Sequence, residues 1–101
     1  MLYKFKSAVT SDIIMLEANG QQVLRIIGKG DDLIKGIVTT AQIPAAIAAM
    51  EAAVVVDDAA REQARATGNP PGGISLRQRT LPLLDALRRC QQAQEQLVWG
   101  V

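Results

Sequence analysis

The chain contains no histidine and only one cysteine in 101 residues. Without histidine, no side chain has its ordinary pKa close to neutrality, so acid–base work would fall to carboxylates, lysines or Tyr3. The lone thiol, Cys90, excludes an internal disulfide and a Cys/His zinc cluster. Charge of either sign is nearly balanced, with 11 basic and 10 acidic residues and a net charge of +1. A chain that bound nucleic acid by neutralising phosphates would show a basic excess, so nucleic acid is not an expected partner. Long apolar runs are missing as well. The most apolar stretch, Ile43–Val56, is broken by Pro44 and Glu51 and is too short to span a bilayer. Lys4 and Lys6 interrupt the first apolar residues, which argues against a signal peptide. No membrane partner and a reducing, cytoplasmic setting are therefore expected.

What is present suffices for a core. Apolar residues make up 49% of the chain, and the length suits a single domain over 1–101. Leu2–Ser7 alternates, with Tyr3 and Phe5 on one face, and reads as a half-buried strand. The apolar run 12–17 reads as a second strand. Asn19-Gly20 has two readings. Between apolar runs the pair signals a hairpin. It also suits a helix over 20–27, with Asn19 as N-cap, Gln22 completing a capping box and Gly28 at C′. We favour the helix. Residues 28–36 read as a glycine-bearing loop, and Ile37-Val38 as a brief extended piece.

A long helix is expected over 41–66, with Thr40 as N-cap and Pro44 in the first turn. Ile43, Ile47, Met50 and Val54 form its apolar stripe, and Asp57–Arg61 is an i,i+4 ion pair. Residues 67–73, TGNPPGG, read as a flexible internal linker. Ser75 and Gln78 predict a capping box for a helix over 75–95, with a kink or restart near Thr80 because of Pro82. Residues 97–100 read as a closing strand, with Trp99 in the core. The expected fold class is α+β, a small, mainly antiparallel three-stranded sheet packed against three helices in the order β-β-α-α-α-β. The expected core is Phe5, Ile14, Leu16, Leu24, Ile27, Ile47, Met50, Val54, Leu83, Leu84, Leu87 and Cys90.

Few residues carry chemistry. Cys90 has no histidine to activate it and lies on an apolar helical stripe, so it reads as core. Asp31-Asp32 and Asp57-Asp58 read as solvated pairs that cannot supply a full set of metal ligands. Gly28-Lys29-Gly30 fails both phosphate-loop patterns. No catalytic residue, cofactor or metal site is assigned. The one ligand site worth weighing is the helix start at Gly72, Gly73, Ser75, Arg77 and Arg79. There, free N–H groups and nearby guanidinium groups suit a small phosphate-containing anion.

The segments LYKFKS, DIIML, IIGKG, IPAAIAAMEAA, SLRQRTLPLLDALRRC and VWGV together resemble a bacterial family of small uncharacterised proteins, domain-of-unknown-function family eighteen-forty. The resemblance spans nearly the whole chain except the region around 57–73. It implies an α+β fold with no assigned activity, and it favours helix over hairpin after Asn19. The functional expectation is a non-catalytic protein-interaction or self-associating module, with a homo-oligomer or another protein as partner. The alternative is an anion binder at the Gly72–Arg79 helix start. An enzyme ranks last.

Overall fold

The computed structural model describes residues 2–100. Strands β1 (Leu2–Ser7) and β2 (Thr10–Leu16) pair antiparallel through a turn at 8–9. Helix α1 follows at once, over Glu17–Ile26, and then come β3 (Gly36–Val38), a 3₁₀ turn (Thr40–Gln42), α2 (Ile43–Ala66), α3 (Leu76–Ala93) and β4 (Leu97–Trp99). The sheet order is β2-β1-β4-β3, antiparallel throughout. It has four strands, not the expected three. The added strand is the short extended piece at Gly36–Val38, which pairs with β4 at the far edge. Three residues are too few to show a periodicity, and only their pairing partner makes them a strand.

Register decides which side chains enter the core. Tyr3 pairs with Met15 and Phe5 with Ile13, so these four point inward. Leu2, opposite Leu16, and Lys4, opposite Ile14, point the other way. The expected core residues Ile14 and Leu16 are therefore exposed, at 56% and 66%. Because successive strand residues alternate between faces, choosing the wrong parity in an Ile-Ile-Met-Leu run inverts the whole strand. The remaining expected core residues are buried, with Ile27 partly so against the core. Helices α1 and α3 cover the inner face of β1 and β2, and α2 packs mainly on α3. Among the described residues no helix covers the outer face of the sheet.

Helix α1 starts three residues earlier than expected, and Asn19 lies inside it rather than capping it. No side chain caps its start. Gly20 sits within α1 for a packing reason: a Cβ there would collide with the Tyr3 ring. Gly28 takes a positive φ of 82° just past the helix, as a C′ glycine should. The start of α2 also differs. Thr40 opens a 3₁₀ turn instead of capping the helix, and Gln42 Oε1 accepts from the Thr39 N–H at 3.1 Å. Pro44 does lie in the first turn, and α2 ends at Ala66. Ser75 caps α3 as expected: its Oγ accepts from the Gln78 N–H, and Gln78 Oε1 accepts from the Ser75 N–H. Pro82 causes no restart, because α3 runs unbroken from Leu76 to Ala93. The buried Thr80 hydroxyl donates to the Leu76 carbonyl at 2.8 Å.

Candidate functional site

The α3 start is built around Asp57, a residue from α2. Its carboxylate accepts from the Leu76 N–H at 2.9 Å and from Arg61 Nε at 3.0 Å. Arg61 continues across the connection, donating to the Ile74 carbonyl at 3.0 Å and the Gly72 carbonyl at 3.4 Å. One i,i+4 ion pair thus ties the α2–α3 connection to both helices. The Leu76 N–H holds the Asp57 carboxyl below the usual aspartate range against an opposing effect of burial, helped by Arg61 and by the charge of Arg79.

This geometry places each residue of the weighed anion site. Gly72 and Gly73 are exposed, with Gly73 at φ 71°, and Ser75 is the cap. Arg77 turns away to Asp58, at 2.6 Å. Arg79 reaches α1 instead, donating to Asn19 Oδ1 at 2.9 Å and Gln22 Oε1 at 2.7 Å. The structure therefore keeps Gly73 and Ser75 together on a polar cleft of about 350 Å³ and sends both arginines elsewhere. A helix N-terminus attracts an anion, and here Asp57 supplies one from within the chain. An exogenous anion would have to displace that carboxylate.

Other polar groups make contacts within the fold. Cys90 is buried, and its thiol donates to Ser7 Oγ at 3.2 Å. Asp32 caps its own loop by accepting from the Lys35 and Ile34 N–H groups, which hold its carboxyl below the usual range. Trp99 is buried across Gly36, where any Cβ would strike the indole. Among the described residues, no three His, Cys, Asp or Glu side chains gather into a cation-binding group. Nor is any helix there long and apolar enough to cross a membrane.

The surface with unmet potential lies on the β2 side of the molecule. Leu2, Ile14 and Leu16 project from the uncovered sheet face, and among the described residues β2 is an edge strand whose one neighbour is β1. Beside that edge, a cleft of about 230 Å³ opens between Thr10, Ser11 and Ile13 on β2 and Pro82, Asp85 and Arg89 on α3. The Thr10 hydroxyl is buried there without a hydrogen-bond partner among the described residues. Sequence reasoning missed this surface because it assigned Ile14 and Leu16 to the core. Their outward direction follows only from the β1–β2 register.

Neither the curated proteins nor the solved structures contain a match to the chain. Residues 1–99 match the family model described as Domain of unknown function (DUF1840), and the chain belongs to that family.

Proposed function

We propose that the domain acts by protein–protein association, without catalysis of its own, and that the β2 side of the molecule is its working surface. The supporting observation is the apolar trio Leu2, Ile14 and Leu16, exposed at 60%, 56% and 66% beside an unpaired strand edge. Scattered exposed aliphatics are ordinary, but three on neighbouring strands beside a free edge form the kind of patch that a partner covers.

Native mass spectrometry of the gently purified protein tests this. The expected result is a homomeric or heteromeric assembly that Leu16→Asp disperses while the circular dichroism spectrum of the folded chain stays unchanged. A single chain carrying a stoichiometric small molecule, and no protein partner, would overturn the reading.

A further inference from the structure

We propose that a second copy of this chain docks across a two-fold axis on the face formed by the open edge of β2 and the flank of α3. The proposal rests on the association reading above and names its partner. β2 pairs with its own copy, extending the sheet, and Asp85 and Arg89 exchange ion pairs between copies.

The backbone comes first. β2 has seven residues and hydrogen bonds to β1 on one side only. Edge strands are usually blunted by proline, lysine or extreme shortness. β3, at the other edge, is blunted by length, with three residues. β2 has no proline and no lysine, Asp12 is its single charge, and a register irregularity near Ser11–Asp12 leaves 13–16 as its regular segment. Alternate N–H and C=O groups along that regular segment face outward and suit an antiparallel strand.

The helix supplies the choice of partner. Pro82, Asp85, Ala86 and Arg89 follow i, i+3, i+4, i+7 spacing and present one face of α3 to the cleft. Asp85 meets only Arg88, at 3.9 Å, and Arg89 has no ion pair among the described residues. A two-fold axis perpendicular to the sheet makes β2 antiparallel to its copy and reverses α3 in the same step. Asp85 of each chain then faces Arg89 of the other, an arrangement in which the surface is its own electrostatic complement. Pro82 carries no long side chain on that flank, and Ala86 is buried beneath it, so neither hinders close approach. On the outer face, Ile14 and Leu16 of the two copies come onto adjacent strands.

Sedimentation velocity over a wide concentration range, with charge-reversal variants, tests the proposal. The wild type should reach twice the 10.8 kDa of one chain. Asp85→Arg and Arg89→Asp each set like charges opposite one another twice per dimer, and each should weaken association by about tenfold or more. The double reversal restores complementarity and should return to within about threefold of the wild type. At dilutions where every variant is monomeric, all should melt like the wild type, because both side chains are exposed. A chain that stays monomeric would overturn the proposal. A dimer indifferent to both reversals would also overturn it, and would leave the association reading standing on another face. A heteromeric complex lost on Leu16→Asp, with no homodimer, would do the same.

Discussion

Replacing Asp57 with alanine removes the carboxylate that joins α2 to the first turn of α3. Two interactions disappear together. The Leu76 N–H loses its acceptor, equivalent to losing a helix cap and costing about 0.5–2 kcal/mol. Arg61 loses a partly exposed ion pair, worth about 0.2–1 kcal/mol. Because the two share one carboxylate, the effects overlap, and a total of about 1–2 kcal/mol is expected. In a domain of this size that lowers the melting temperature by roughly 5–12 °C.

The pH dependence gives the sharper test. Asp57 has its carboxyl pKa depressed in the folded chain, first by the Leu76 N–H and then by Arg61. Its stabilisation is therefore complete above the ordinary aspartate value and is lost as pH falls through the depressed one. Thermal melts followed by circular dichroism should separate wild type from Asp57→Ala at neutral pH and converge as the pH drops below about 4. A neutral-pH difference under about 0.5 kcal/mol, or one that persists unchanged in acid, would refute the reasoning.

The sheet register makes a contrasting pair of predictions. In dilute, dissociated protein Ile14→Ala should change stability by no more than about 0.5 kcal/mol, because the side chain projects from an uncovered face. Its neighbour Met15→Ala should cost about 2–5 kcal/mol by denaturant titration, because Met15 is buried against the core. Gly36→Ala drives a methyl group into the Trp99 ring and should cost about 1–3 kcal/mol. Trp99 is the only tryptophan, so its emission should report the displacement directly.

Local signals were read well from sequence. Ser75 and Gln78 cap each other across three residues, and Asp57 and Arg61 meet one helical turn apart, so neither needs tertiary information. The stripe Ile43, Ile47, Met50 and Val54 is buried as its spacing requires. The failures share a cause: in each, the deciding neighbour is distant in sequence. Asn19-Gly20 resembles a turn or cap, yet Gly20 is there because Tyr3 packs on it. Gly36 forms a fourth strand through Trp99 and β4, 63 residues further along the chain. Ile13 and Ile14 are chemically identical, and only pairing with Phe5 and Lys4 tells inside from outside. Arg77 and Arg79 sit beside the helix start in sequence, but Asp58 draws one away and Asn19 with Gln22 the other.

Hydrogen exchange measured on concentrated and dilute protein tests association through the β2 edge most directly. Amides of β2 bonded to β1 should exchange alike in both samples. The outward amides of 13–16 should be slow when concentrated and fast when dilute, since a second strand would protect them only in the assembly. Exchange in β2 that is independent of concentration, with the outward amides always fast, would contradict the account.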